Sequence, residues 1–106
     1  MVTVPELMLA LEVAYDSYAT ERLALANAKA NYERARLGAF ARSQEKSQSG
    51  RQSEAEVVAI EEKVALLRAE AMAEITKTHV QVLLGELVAA QSVQKFAGKI
   101  DGGDGW

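Results

Sequence analysis

Apolar residues recur along the first third of the chain at alternating steps of three and four. Val4, Leu11, Tyr18, Leu25, Tyr32 and Ala39 form one row of this repeat, and Leu7, Ala14, Glu21, Ala28 and Ala35 form the other. A 4-3 pattern held this long is the mark of a helix lying along a partner helix. Its start is signalled by Thr3-Val4-Pro5-Glu6, where Thr3 and Glu6 have the spacing of a capping box and proline falls in the first turn. Glu21 interrupts the seam. The pattern predicts a helix over about 4–42. A polar stretch follows, Ser43 to Ser53, with no large apolar residue in it. Ser53-Glu54-Ala55-Glu56 then has the form of a second capping box and predicts a second helix over about 54–97.

In that second helix apolar residues again fall at 4-3 spacing. Val57, Ile60, Val64, Leu67 and Ala71 read as its inner row. After a one-step slip in phase near Ala71 to Ile75, the row continues through Ile75, Val82, Ala89 and Phe96, with His79, Glu86, Val93 and Ile100 at the alternate position. Val80, Val82, Leu83, Leu84, Leu87 and Val88 make the helix apolar on most sides, which predicts burial all round, and Gly85 among them suits a close crossing. Residues 1–98 read as one domain and 99–106 as a glycine- and aspartate-rich tail ending in Trp106. The expected fold class is all-α, a long antiparallel two-helix hairpin.

Two rows do not fit a hairpin that packs only on itself. Leu9, Leu23 and Leu37 sit outside the first helix's main seam at intervals of fourteen, beside a row of small residues, Ala10, Ser17, Ala24, Asn31 and Gly38. Helices of roughly 40 residues are about 60 Å long at about 1.5 Å per residue, so a lone hairpin leaves much of each helix in water. A homodimer forming a four-helix bundle is therefore expected, with Val80, Leu83, Leu84, Leu87 and Val88 and the leucines 9, 23 and 37 as its contact surface or as the surface for another partner. The competing arrangement breaks a helix at Gly38 or Gly85 and folds back as a three- or four-helix monomer.

Composition agrees with helix. Apolar residues make up 49% of the 106 residues, aromatics only 6%, and there is one proline. The net charge of -3 is too small to point to a nucleic-acid binder. With no cysteine there is no disulfide or thiolate metal site, and with no long uncharged stretch no membrane span is expected. The opening Met-Val-Thr-Val-Pro-Glu lacks a basic run, so a cytoplasmic protein is expected, in the host cytosol if phage-encoded.

Candidate chemistry is sparse. His79, the only histidine, falls opposite Tyr15, Asp16 and Tyr18 in an antiparallel hairpin. It reads as a histidine packed on tyrosine and bonded to a carboxylate, because no nucleophile stands at a strained turn and no second histidine is present for a metal. Glu21, Glu74 and Glu86 lie near the seams, but a di-iron bundle needs Glu-x-x-His motifs, and position 76, three before His79, is threonine. No cofactor, metal or catalytic residue is expected. Arg34, Arg36, Arg42, Lys46 and Arg51 outweigh Glu33 and Glu45 at the hairpin tip and form a candidate phosphate-binding patch. The second helix carries seven acids against four bases and offers an acidic face. Trp106 is a candidate docking anchor at the end of its tail.

The run Gly50-Arg51-Gln52-Ser53-Glu54-Ala55-Glu56 resembles a recurring feature of small helical hairpin proteins of phages and prophages, in which such a run joins two alanine- and leucine-rich helices. The resemblance implies a phage or mobile-element accessory protein without assigned chemistry. The first functional expectation is thus a non-enzymatic interaction protein that binds a protein or nucleoprotein partner, in a narrower form an inhibitor of a host defence complex such as a CRISPR effector or nuclease. The alternatives are a nucleic-acid-binding accessory protein using the basic tip and a structural component of a virion.

Overall fold

The computed structural model describes residues 2–102, with side chains described for 2–97. Three helices follow one another, α1 (Val4–Arg42), α2 (Gln48–Val58) and α3 (Ile60–Gly102), and the fold is an all-α helical hairpin. Among the described residues there is no strand and no positive backbone φ. The start of α1 is the reciprocal box that Thr3 and Glu6 predict. The Glu6 amide donates to Thr3 Oγ1 at 3.3 Å and the Thr3 amide donates to Glu6 Oε2 at 3.2 Å.

The polar segment is shorter than its composition suggests. Only residues 43–47 are non-helical, and α2 begins at Gln48 instead of near Glu54. Ser47 caps it: its side chain accepts from the Gly50 amide at 3.0 Å, from an extended backbone (φ -88, ψ 151). Ser53 lies inside the helix, and the acids that were to complete its box are used elsewhere. Glu54 accepts from the Ser43 hydroxyl at 2.5 Å, tying the end of α1 to α2, and Glu56 accepts from Tyr32. Ala59 separates α2 from α3, yet the i→i−4 bonds run through it, from Ala59 N to Ala55 O and from Lys63 N to Ala59 O, both 3.0 Å. Gly38 and Gly85 both lie inside helices, so neither breaks the chain. The backbone of α3 continues to Gly102, past the stop expected near Gly98, while Trp106 lies outside the described residues.

The described residues divide into two compact units, 19–74 and 2–18 with 75–102. In the first, α1 buries or half-buries Glu21, Leu25, Ala28, Tyr32, Ala35 and Ala39, the row its sequence predicts. Facing it are Ala55, Ala59, Glu62, Leu66, Ala69 and Ala73. The core is Tyr32 against Ala59 and Leu66, with Leu25, Ala28 and Ala35 around it. Alanines on α2 and α3 leave room for the Tyr32 ring, and Ala59 itself is 0% exposed. In the other unit, Leu7, Leu11 and Ala14 of α1 pack on Val80 and Leu83 of α3, with Tyr18, Leu87 and Ala90 alongside.

The inner row of α2 and α3 therefore differs from the expected one. Residues 55, 59, 62, 66, 69, 73, 76, 80, 83, 87 and 90 keep an unbroken 4-3 rhythm, and no slip occurs near Ala71 to Ile75. Val57, Ile60, Val64, Leu67, Ala71, Ile75, Val82, Ala89 and Phe96, the row that spacing predicts as the seam, are all exposed. The reason is steric. Within residues 19–74 the α1 seam supplies bulk through Leu25 and Tyr32, so alanines sit opposite, around the one large residue Leu66.

Candidate functional site

The feature with most functional content is this outward apolar row. Within residues 19–74, Val57 is 71% exposed, Ile60 56%, Val64 41% and Leu67 52%, one after another at steps of three and four, with exposed Ala71 next. Charged residues border it, Glu61 and Arg68 on one edge and Lys63 and Glu70 on the other. On α1 of the same unit, Leu23 and Leu37 also face outward. In the second unit Leu9, Val82, Val88, Val93 and Phe96 are exposed.

The apolar band of α3 is thus not buried all round. Val80 and Leu83 are core, Leu87 is half-buried, and Leu84 is at the border of exposure. A Cβ added at Gly85 would meet nothing within 4 Å, so no close crossing uses that glycine. A hollow of about 420 Å³ lies in the same unit, lined by Val2, Val4, Ala89, Ala90 and Val93 with Thr3 and Gln94. Its wall is apolar and carries no titratable group.

The basic tip is partly engaged. Arg36 Nη2 pairs with Glu33 at 2.8 Å, and hydrogen bonding to that carboxylate raises the guanidinium pKa above its ordinary value. Arg51 Nε donates to the Glu45 carbonyl at 2.8 Å. Arg34 and Arg42 line a hollow of about 440 Å³ with Asn31, Ala35 and Glu62, where the acid offsets them. Lys46 is exposed. The five bases therefore do not form a single unopposed patch.

A polar contact between Tyr32 and Glu56 has no counterpart among the sequence expectations. The Tyr32 hydroxyl donates to the Glu56 carboxylate, 2.8 Å from Oε1 and 2.7 Å from Oε2, and Lys63 Nζ stands 4.9 Å from the centre of the same ring. The bond to Glu56 raises the Tyr32 pKa above 10.0, since ionising the phenol would lose the bond and set two anions together. This is a structural clasp between α1 and α2. A tyrosine and an acid twenty-four residues apart leave no local signature, which is why sequence spacing did not find it.

His79 is exposed, not packed, and makes no hydrogen bond or ion pair among the described residues. Among the described residues no group of three or more histidine, cysteine, aspartate or glutamate side chains is placed to hold a metal, and no helix is long and apolar enough to cross a membrane. No family model, curated protein or solved structure matches this chain. The geometry of its own surface is therefore what bears on function.

Proposed function

We propose that this chain is a non-enzymatic protein–protein interaction module that binds through the outward apolar faces of its helices. The observation that carries the reading is an inversion within residues 19–74: Ala55, Ala59, Ala69 and Ala73 make up most of the seam, beside Glu62 and Leu66, and the larger Val57, Ile60, Val64 and Leu67 stand in water. A chain selected only to fold on itself would put those residues to use inside; contiguous exposed apolar rows mark contact surfaces. The narrower version, an accessory protein of a phage or mobile element that blocks a host defence complex, draws its support from the resemblance of residues 50–56. Because Arg36 and Arg51 are held by local partners, the basic tip gives less support to a nucleic-acid role.

The test uses the intact chain as bait against candidate host nucleoprotein complexes, beside a variant carrying Val82→Glu and Val93→Glu. The proposal expects a complex retained by the intact chain and lost by the variant at equal helicity. Capture no better than background, or capture that ignores both substitutions and every other outward apolar position, overturns it.

A further inference from the structure

We infer that the row Val57, Ile60, Val64, Leu67 and Ala71 is covered by a second copy of this chain, packed antiparallel about a two-fold axis. The inference rests on the reading of the outward rows as contact surfaces and names the occupant of one of them. The row has the 3-4-3-4 spacing of a helix–helix seam, and it lies on α2 and α3 within residues 19–74, on the face opposite the buried Ala55, Ala59, Leu66 and Ala73. The i→i−4 bonds run on through Ala59, whose backbone (φ -92, ψ 19) departs from helical values.

The bordering charges select the occupant. On a seam of this phase, Glu61 and Arg68 flank one side, and Lys63 and Glu70 flank the other. In an antiparallel pair each edge meets the same edge of the second copy. With Val64 level with Leu67 of the second copy, and Ile60 level with its Ala71, Glu61 faces Arg68, and Glu70 faces position 63, whose ammonium lies over the Tyr32 ring of its own chain. Two-fold symmetry repeats both pairs, so every facing pair among these four residues is of opposite sign. Other pairings do worse. A parallel pair sets Lys63 against Arg68 and Glu56 against Glu61. An antiparallel pair shifted by one heptad, with Ile60 level with Val64, sets Glu61 against Glu61 and Lys63 against Lys63. Glu61, Arg68 and Glu70 are exposed and make no ion pair among the described residues, so they are available to a second copy. Such charges choose partner and register, while the apolar row supplies the attraction.

The experiment is sedimentation equilibrium over a dilution series on the full chain, on Glu61→Arg, on Arg68→Glu and on the double reversal, with circular dichroism on each sample. The intact chain is expected at twice 11.5 kDa. Either single reversal turns two attractive pairs repulsive and raises the dimer Kd at least about tenfold, and the double reversal restores it to near the starting value. A monomer at every concentration, a dimer indifferent to single reversals, or a dimer tightened by Glu61→Arg (the sign a parallel pair gives) overturns the inference. If it fails while partner capture still depends on an outward apolar row, the interaction reading stands. If capture fails as well, both fall.

Discussion

Tyr32 on α1 holds Glu56 on α2 through both carboxylate oxygens, at 2.8 and 2.7 Å, from a ring that also closes the core over Ala59 and Leu66. One side chain thus joins the two arms of this unit by packing and by a charge-assisted bond. Replacing it with phenylalanine keeps the ring and removes the bond. Tyr32→Phe is expected to lower the melting temperature at neutral pH while leaving helicity unchanged, and Glu56→Gln, which keeps one acceptor oxygen, is expected to do so less.

The same contact gives the fold a dependence on alkaline pH. The folded chain holds Tyr32 protonated above its ordinary value of 10.0 because the phenol donates to Glu56, so the unfolded chain loses this proton first as pH rises. The contribution is complete below pH 10, and it drains away between pH 10 and the raised folded value. Thermal melts from pH 8 upward are expected to fall more steeply for the intact chain than for Tyr32→Phe. Parallel curves would show that the bond does not act in solution.

Ala59 and Ala71 test the phase of the second arm. Ala59 is 0% exposed against Tyr32, and leucine there overfills the seam at a cost of about 1–3 kcal/mol. Ala71 faces outward, and leucine there changes stability by less than about 0.5 kcal/mol. Urea unfolding of the two variants reads the difference. The reverse ranking would put the seam where the bulkier row lies.

The glycines are expected to behave oppositely. At Gly85 an added methyl meets nothing within 4 Å in the middle of a helix, so Gly85→Ala stabilises by up to about 1 kcal/mol. At Gly50 the same methyl would come within 2.8 Å of Ser47 Oγ, the atom that caps α2 through the Gly50 amide, so Gly50→Ala destabilises. Ser47→Ala, which removes the cap outright, is expected to cost about 1 kcal/mol. Urea melts on the three variants check signs and order.

The seam of α1 was legible because its large residues, Leu7, Leu11, Leu25 and Tyr32, all fall in the two adjoining rows of one 4-3 seam with its smaller ones. The partner seam was not, because α2 and α3 carry two rows. Hydrophobicity alone ranks Val57, Ile60, Val64 and Leu67 above Ala55, Ala59, Ala69 and Ala73. Which row turns inward depends on shape across the interface: a tyrosine at position 32 needs an alanine facing it, and single-residue scales do not hold that information. The second helix start was misplaced for a related reason, since Ser47 and Ser53 both have the side chain of a cap, and only the Gly50 amide within reach of Ser47 decides between them. The outward positions of Leu9, Leu23 and Leu37 were readable from their spacing. The outward row of α3 was visible as a row but assigned to the wrong side, and the Tyr32–Glu56 clasp was not visible at all.

The most direct test of the account is the solution mass of a chain in which Val57, Ile60, Val64 and Leu67 are all alanine, measured by light scattering with circular dichroism on the same sample. The account treats these four as contact surface rather than core, so it predicts a helical protein of half the mass of the intact chain. A helical protein with the intact chain's mass would contradict it, because association would then use another face. Loss of the helices would contradict it too, because the four residues would then belong to the core.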